Sequence, residues 1–360
     1  MKIIDIHTHG IGGYDTGDST SEAILKMAEI HGAHGVDVII PTIYSAPVHV
    51  MRENMTAVKK AMEQQGAESV EPPLREDRRR AESHSPAYMG DQPVTSRFNI
   101  QGSDNFELRT LNVELPKNRV STILGVHLEG PFLNPSRCGA LDASSFLKPD
   151  EAVLKELTEG FEGMVKIITI APELEGSLKL IKQARSMGIN VSMGHSDATF
   201  NEAEEGFHRG AKGITHIFNA MRSIHHREPG IAGFGLSNRD VFIELIADPF
   251  HLHSEMIRIV FAIKNPDKII LISDSTKDTP GPSPSTPKKF KVQSSKLKVE
   301  KLSTQHSALS IILPIQAGLL RGGVMTVTES AHRLIDMGFD DKFVFKCITE
   351  NPSTYLGISH

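Results

Sequence analysis

Two histidines stand two residues apart in the stretch KIIDIHTHGIGG, at the end of the first apolar run of the chain. Alternate residues of a β-strand point to the same face, so one strand would present the imidazoles of His7 and His9 to one side. Gly10, Gly12 and Gly13 follow, which predicts a sharp turn directly after the pair. Two imidazoles aimed at one point suit a transition metal. Because the chain holds 17 histidines, the pair becomes informative only if further ligands occupy equivalent places.

Side chains that bind metals or transfer protons follow five further apolar runs. They are Glu129 in GVHLEGPF, His195 in SMGHSD, His216 in THIFNAM, Asp248 and His251 in ADPFHLH, and Asp274 in LISDS. In a parallel barrel the residues after each strand converge at the carboxyl-terminal mouth, where such enzymes place their chemistry. Six of eight predicted strands end in this way. The sequence therefore predicts a metal-dependent active site.

The elements that would position these residues are eight apolar, β-branched runs separated by helical patterns. The predicted strands are 2–6, 37–43, 122–126, 165–170, 189–193, 212–216, 241–247 and 268–273, and the predicted helices include 20–32, 52–64, 150–159, 174–187, 200–209 and 253–263. The strand runs are continuously apolar, as is typical of strands buried on both faces. Ser19 and Glu22 predict a capping box at the first helix. The alternation predicts an α/β fold, a single (β/α)8 TIM barrel over residues 1–360.

Two segments interrupt this alternation. Residues 66–119 are polar, proline-bearing and aperiodic, and they are too long for an ordinary loop. We therefore expect an inserted, partly disordered segment there. Residues 279–318, which include TPGPSPSTPKKFKV, predict a flexible stretch followed by a short hairpin.

The composition excludes several functional classes. The formal net charge of −5 gives no electrostatic reason to expect nucleic acid or an anionic membrane as a partner. No apolar run approaches the ~20 residues of a membrane helix, and the first residues lack the apolar core of a signal peptide. The chain has two cysteines, Cys138 and Cys347, too few for a disulfide framework. These features favour the reducing cytoplasm.

Several motifs carry a resemblance to a known family. The set comprises DIHTHGIGG, HLEGPFLN, GHSDA, THIFNAM, REPGIAG, DPFHLH and the aspartate of LISDS. It resembles the amidohydrolase superfamily and, within it, the N-acetylglucosamine-6-phosphate deacetylases, for which HLEGPF together with THIFNAM and REPG is specific. The likeness covers most of 1–65 and 120–280 and roughly 319–357. It implies a hydrolase of amino-sugar catabolism that releases acetate from N-acetylglucosamine 6-phosphate, and it implies a homodimer.

The resemblance also implies roles for individual residues. It places metal ligands on Glu129, His195 and His216, with His7 and His9 holding a second ion in some members, and the catalytic acid/base on Asp274. Zn²⁺ is the ion expected from the ligand types, with Fe²⁺ as the alternative. Implied contacts to the substrate fall on Ala140, Leu141, Asn219, Ala220, Arg227, Asp248, His251, Leu320, Arg321 and Gly322.

Four of these contacts have more specific implied roles. Asn219 and Ala220 would bind the sugar 6-phosphate, and Arg227, which suits a phosphate dianion, can come from the partner subunit in this family. His251 or the neighbouring His253 would assist at the acetyl group, whereas His127 is expected to pack beside the site without binding the metal.

The chain departs from the family pattern in ways that leave alternatives open. The family's small β-sandwich, built from an N-terminal segment and a C-terminal tail, has no counterpart in the sequence, and Leu141 stands where the family usually has a sugar-contacting histidine. One alternative is a metal-dependent hydrolase of another N-acyl or cyclic amide substrate. A second is a catalytically inactive barrel that acts as a binding protein.

Overall fold

Eight parallel strand positions form a nearly closed barrel in the computed structural model, which describes residues 1–66, 119–281, 315–316 and 319–358. The strands are β1 (Ile4–Thr8), β2 (Gly10–Ile11), β3 (Tyr14–Asp15), β4 (Val38–Tyr44), β5 (Thr122–Ile123), β6 (Val126–Glu129), β7 (Val165–Ile170), β8 (Asn190–Met193), β9 (Gly213–Ile214), β10 (Phe242–Ile246), β11 (Ile269–Ile272), β12 (Ile315–Gln316) and β13 (Leu319–Leu320). The two segments that interrupt the sequence pattern lie, except at their ends, outside the described residues.

The barrel order follows the chain, β1-β4-β6-β7-β8-β9-β10-β11, and each neighbouring pair along this path is parallel. The predicted third strand is interrupted, so that β5 and β6 both pair with β4. Nearly every side chain of the barrel strands is buried, because helices cover the outside while side chains fill the inside. The predicted (β/α)8 barrel is confirmed.

Ten α-helices lie in the described part of the chain. They are α1 (Ser21–Ala33), α2 (Val48–Gln64), α3 (Glu151–Thr158), α4 (Ser177–Ser186), α5 (Phe200–His208), α6 (Gly230–Ser237), α7 (Ser254–Ile263), α8 (Val327–Asp336), α9 (Asp341–Ile348) and α10 (Glu350–Leu356). None of the described helices is long and apolar enough to cross a membrane.

Two local features differ from the sequence-based expectation. The N-cap of α1 is Thr20, whose hydroxyl accepts a hydrogen bond from the Ala23 amide, so the predicted Ser19–Glu22 capping box is wrong. Ser19 instead has left-handed backbone (φ 56°) and ends the preceding 3-10 turn. The helix α6 was absent from the predicted set because its sequence, GIAGFGLS, combines glycine-rich composition with no polar face.

The barrel interior is sealed at its amino-terminal end. Ile4, Val38, Ile270 and other apolar side chains form a cluster there, and Tyr355 from α10 is buried among them. A larger apolar cluster lies between the strands and the surrounding helices. The carboxyl-terminal mouth is different, because buried histidines and carboxylates fill it.

Candidate active site

Glu129, the last residue of β6, lies at the centre of the mouth between histidines from three other strands. Its Oε1 is 3.0 Å from the Nε2 atom of His195 and 3.0 Å from that of His216, which follow β8 and β9. Its Oε2 is 3.1 Å from His9 Nε2, and Oε1 is 3.5 Å from His7 Nε2. The four histidine ligands predicted from the sequence therefore meet at the fifth predicted ligand, the Glu129 carboxylate.

Asp274 completes the cluster from the end of β11. Its Oδ1 lies 3.3 Å from His7 Nε2 and 3.5 Å from His9 Nε2. Its side chain is 14% exposed, compared with 0% for His7 and 2% for His9. Asp274 is therefore the member of the cluster that solvent or a substrate reaches most easily.

The hydrogen bonds of the histidines test whether this cluster suits a cation. The Nδ1 atom of His195 lies 3.0 Å from the Arg137 carbonyl oxygen, and that of His9 lies 3.1 Å from the Thr42 carbonyl oxygen. Carbonyl oxygens only accept, so each neutral ring carries its proton on Nδ1 and directs the lone pair of Nε2 into the cluster. The Nδ1 atom of His7 lies 3.2 Å from Glu244 Oε2. Burial raises the pKa of Glu244 to about 7, and in its ionised form the carboxylate accepts the Nδ1 proton of His7.

These inward lone pairs face one another. The two Nε2 atoms of His195 and His216 are 3.1 Å apart, and those of His7 and His9 are 3.3 Å apart. Two Nε2 lone pairs at these distances repel unless a proton or a metal cation lies between them. Two ligand groups result, one of Glu129, His195 and His216 and one of His7, His9 and Asp274. Both fit a divalent ion such as zinc by donor type.

The pKa shifts agree with this chemistry. Burial would raise the pKa of Glu129, but the charge and hydrogen bond of His195 and the hydrogen bond of His216 hold it well below the usual range. Burial would also lower the pKa of His216, yet the hydrogen bond and charge of Glu129 raise it to about 9. Burial lowers the pKa of His7 to about 4. Glu129 is thus ionised, and a cation at His216 would displace a proton.

Three members of the cluster have left-handed backbone, which non-glycine residues seldom adopt. The φ angles are 46° at His195, 30° at His216 and 47° at Asp274. All three residues follow directly or closely after a barrel strand, where this turn directs the side chain across the mouth. Such strain is concentrated at functional sites, and nothing in the sequence reveals it.

Asp248 and His251 form a pair beside the cluster. The Oδ1 atom of Asp248 accepts hydrogen bonds from the amides of Phe250 and His251, both at 2.8 Å, and its Oδ2 lies 2.9 Å from His251 Nδ1. Oδ2 also accepts from the Val324 amide at 3.1 Å. Since both oxygens have protein donors, Asp248 orients His251, and its direct contact with a substrate stays a prediction.

Several predicted substrate residues lie close to the cluster. A Cβ atom added at Gly139 would come within 3.1 Å of Ala220 Cβ and 3.6 Å of His195 Cε1, which places the segment that continues into Ala140 and Leu141 against the site. Ala140 is exposed and Leu141 is half-buried. Asn219, also half-buried, has its side-chain amide 3.3 Å from the His216 carbonyl oxygen.

The segment after β13 lies beside Asp274. The Gly323 amide donates to the Asp274 carbonyl oxygen at 2.7 Å. A Cβ at Gly322, where φ is 143°, would lie 2.5 Å from that same oxygen. This contact brings Leu320, Arg321 and Gly322 to the mouth, with Arg321 exposed. Arg227 is exposed on the loop before α6.

Two residues that support the cluster were not found from the sequence. The ring of Tyr44 stacks on His9 at 3.8 Å between centroids and 6° between planes, and its hydroxyl donates to Asp15. Glu244 holds His7 from β10. A signal for Glu244 was present, because an acidic residue within the apolar run VFIELIA must have a buried partner.

The fold and the cluster define a (β/α)8 barrel whose mouth carries histidines and carboxylates that could hold a metal ion. No family model matches the chain. Individual relatives match it. They include N-acetylglucosamine-6-phosphate deacetylases, as the motifs indicated, and an N-acetylgalactosamine-6-phosphate deacetylase of Escherichia coli O157:H7, which is 26% identical over 272 residues. The protein of Lysinibacillus sphaericus is 37% identical over 162 residues, which are 45% of this chain and 42% of that protein. The chain therefore matches less than half of this curated relative's length.

Solved structures cover nearly the whole chain. That of the Thermotoga maritima deacetylase is 25% identical, with a TM-score of 0.68, and the match covers 99% of this chain and 78% of that one. A second solved structure is that of a mutant deacetylase from Mycobacterium smegmatis in complex with N-acetyl-D-glucosamine-6-phosphate. It is 21% identical with a TM-score of 0.68, and the match covers 99% of this chain and 77% of that one. At that identity the second likeness supports the fold alone.

Proposed function

We propose that this protein removes the acetyl group from N-acetylglucosamine 6-phosphate, giving glucosamine 6-phosphate and acetate, in amino-sugar catabolism. The observation that carries the proposal is the Glu129 carboxylate, which lies within 3.0–3.1 Å of three inward-facing histidines. The named relatives, which are deacetylases, support the reaction class. Zn²⁺ is the proposed ion, Fe²⁺ the alternative, and the cytoplasm the proposed location.

The chain's own residues can carry the steps of amide hydrolysis. A divalent ion at Glu129, His195 and His216 would activate water and polarise the amide carbonyl. Asp274, the most exposed member of the cluster, accepts the proton of the attacking water and later delivers it to the leaving amine.

His251 assists at the carbonyl oxygen. Burial alone would lower the pKa of His251, but the hydrogen bond and charge of Asp248 raise it. His251 therefore keeps a proton that it can donate to the negative charge developing on that oxygen. Asp248 also accepts hydrogen bonds from the backbone amides of His251 and Val324. Because these contacts hold its carboxylate in place, Asp248 fixes the direction in which His251 points.

Recognition of the phosphate is assigned to Asn219, Ala220 and Arg227. Asn219 and Ala220 lie beside His216, and Arg227 is exposed, as an arginine that reaches a ligand in a partner subunit would be. We propose that a homodimer brings Arg227 to the phosphate of the other subunit's substrate. Leu141 favours the second candidate, a hydrolase of another N-acyl or cyclic amide compound, because it cannot make the polar contact of a histidine.

An amine-release assay with N-acetylglucosamine 6-phosphate and N-acetylglucosamine as a matched pair tests the proposal. Charged hydrogen bonds of the kind proposed for Arg227 contribute roughly 1.5–3 kcal/mol, so Arg227→Ala should lower kcat/KM by about 10- to 150-fold on the phosphorylated substrate. Most of that loss should appear in KM, since the phosphate is bound alike in ground and transition states.

The control is Arg239→Ala, which removes an exposed arginine just before β10, at the opposite end of the barrel. It should leave both substrates unaffected. Equal losses on both substrates in Arg227→Ala would show that Arg227 has a structural role. A wild type that does not distinguish the two substrates would favour the hydrolase of another amide.

A further inference from the structure

A layer of polar side chains crosses the barrel directly beneath the candidate active site. Its members are one histidine, three hydroxyl residues and one carboxylate from five consecutive strand positions: His127, Thr169, Ser192, Thr215 and Glu244. Each is 0–1% exposed. Branched apolar side chains usually fill such a layer, so this one requires a physical reason.

The layer is a continuous chain of hydrogen bonds. His127 Nε2 is 2.8 Å from the Thr169 hydroxyl, which is 2.9 Å from the Thr215 hydroxyl. The hydroxyl oxygens of Thr215 and Ser192 are 2.8 Å apart, and the Ser192 hydroxyl is 3.3 Å from Glu244 Oε1. Because buried polar groups are costly without partners, each member depends on its neighbour.

The chain of hydrogen bonds ends at the cluster. The second oxygen of Glu244, Oε2, lies 3.2 Å from His7 Nδ1. One oxygen is thus held by Ser192 and the other is directed at His7, so the carboxylate cannot rotate without breaking both contacts.

His7 differs in this respect from the other histidines of the cluster. The Nδ1 atoms of His9 and His195 lie beside backbone carbonyl oxygens, of Thr42 and Arg137. Of the Nδ1 contacts of these three histidines, only that of His7 is made to a side chain. A carboxylate partner also makes an imidazole a stronger metal ligand.

We propose that Glu244, held in place through Ser192 and Thr215, is the positioning residue that fixes the proton of His7 on Nδ1 and so sets the affinity of the His7–His9–Asp274 group for a divalent ion. The proposal rests on the metal-dependent function proposed above and extends it. It gives the polar layer a specific task, which is to orient one ligand of one of the two groups.

Titration of Zn²⁺ into metal-free protein, read by calorimetry or by competition with a chelator, tests this without any substrate. We expect two binding events in the wild type, the first at Glu129, His195 and His216 and the second, weaker one at His7, His9 and Asp274. Partners of metal-binding histidines typically affect affinity 10–100-fold, so Glu244→Ala should weaken the second event by about that factor and leave the first unchanged. Glu244→Gln should be close to wild type, because its amide oxygen still accepts from His7 Nδ1 while its NH₂ donates to Ser192.

Two further variants separate positioning from general damage. Ser192→Ala should weaken the second event by a smaller factor than Glu244→Ala, whereas Ser177→Ala, which removes a buried hydroxyl from α4, should change neither event. In a His7→Ala background, Glu244→Ala should cause no further loss, since its effect passes through His7.

Three outcomes would overturn the proposal. The first is that the wild type binds only one ion at every Zn²⁺ concentration. The second is that Glu244→Ala leaves both affinities unchanged. The third is that Glu244→Ala weakens both binding events equally. None of them bears on the deacetylase assay, so failure of this proposal is distinguishable from failure of the proposed function.

Discussion

The two ligand groups of the mouth have similar chemistry but different support. Glu129, His195 and His216 follow strands that belong to one continuous run of parallel pairs, β6-β7-β8-β9. His7, His9 and Asp274 lie on the two sides of the place where the barrel closes, between β1 and β11. There the described residues form an isolated bridge between Thr8 and Ser275 in place of a strand ladder.

Side chains replace part of the missing ladder at this closure. The Asp5 carboxylate accepts from the amides of His7 at 3.2 Å and Ser273 at 3.3 Å, joining β1 to β11. Nearer the mouth, the hydroxyls of Thr8 and Ser275 are 2.8 Å apart, and the Asp274 amide donates to the His7 carbonyl oxygen at 2.9 Å. The amides of His9 and Gly10 also donate to the Ser275 carbonyl oxygen, at 2.7 and 3.0 Å. One ligand group is therefore positioned by continuous strand pairing, and the other by a short set of backbone hydrogen bonds together with buried side chains.

The largest expected effect follows removal of a ligand from the group of Glu129, His195 and His216. His216→Ala should lose the tightly held ion, and with it several kcal/mol of transition-state stabilisation, or ~10³-fold or more in turnover. Elemental analysis of the purified variant and the amine-release assay measure both effects. Retention of a full equivalent of metal in this variant would contradict the ligand assignment.

Asp274→Asn should separate chemistry from metal binding. The amide cannot accept the proton, so turnover should fall by the ~10²–10⁴-fold that loss of a general acid/base costs, while the ion at Glu129, His195 and His216 stays bound. Metal content measured beside turnover distinguishes the two roles of Asp274. Near-normal turnover of Asp274→Asn with its metal retained would contradict the assignment of Asp274 as the acid/base.

Most of the candidate ligand cluster could be predicted from the sequence because each ligand lies at the end of a buried strand or shortly after it. The apolar runs locate the ends of β1, β6, β8, β9 and β11, and a parallel barrel then brings those ends together. The spacing of His7 and His9 predicted that both imidazoles would face one side, and their Nε2 atoms lie 3.3 Å apart.

The parts that sequence did not predict depend on distant contacts or on backbone detail. The contact of Glu244 with His7 joins residues 237 positions apart, and no local pattern encodes that pairing. Capping was misplaced by one residue at Ser19, because the adjacent Thr20 offers an equivalent hydroxyl. The left-handed backbone at His195 and Asp274 is imposed by the closing loops rather than by residue type.

His7→Ala tests the group of His7, His9 and Asp274 and should have a smaller effect on turnover than His216→Ala. A catalytic zinc typically has three protein ligands plus water, and Glu129, His195 and His216 already supply three. Turnover should therefore fall by less than ~10²-fold, or about 2.7 kcal/mol, with the tightly held ion retained. If His7→Ala empties the site as completely as His216→Ala, the two groups act as one and the comparison between them fails.

The smallest expected effect concerns a hydroxyl at the closure itself. Thr8→Val keeps the shape of the side chain but removes the contacts of Thr8 Oγ1 with Ser275 Oγ at 2.8 Å and with His31 Nε2 at 3.0 Å. A buried polar group left without its partner costs ~1–3 kcal/mol, and His31 Nδ1 already has no partner among the described residues. We expect denaturant unfolding to show a loss of that size.

The same variant should also lower turnover a few-fold, because the lost hydroxyl lies between the strands that carry His7 and Asp274. Thr158→Val is the matched control: it removes an equally buried hydroxyl from α3, where Thr158 donates to the Leu154 carbonyl oxygen, far from the mouth. It should cost stability without changing turnover. A different outcome is that both variants lose stability and neither loses activity. In that case the side chains at the closure stabilise the barrel but do not position the ligands. The backbone hydrogen bonds around Asp274 would then be sufficient to position them.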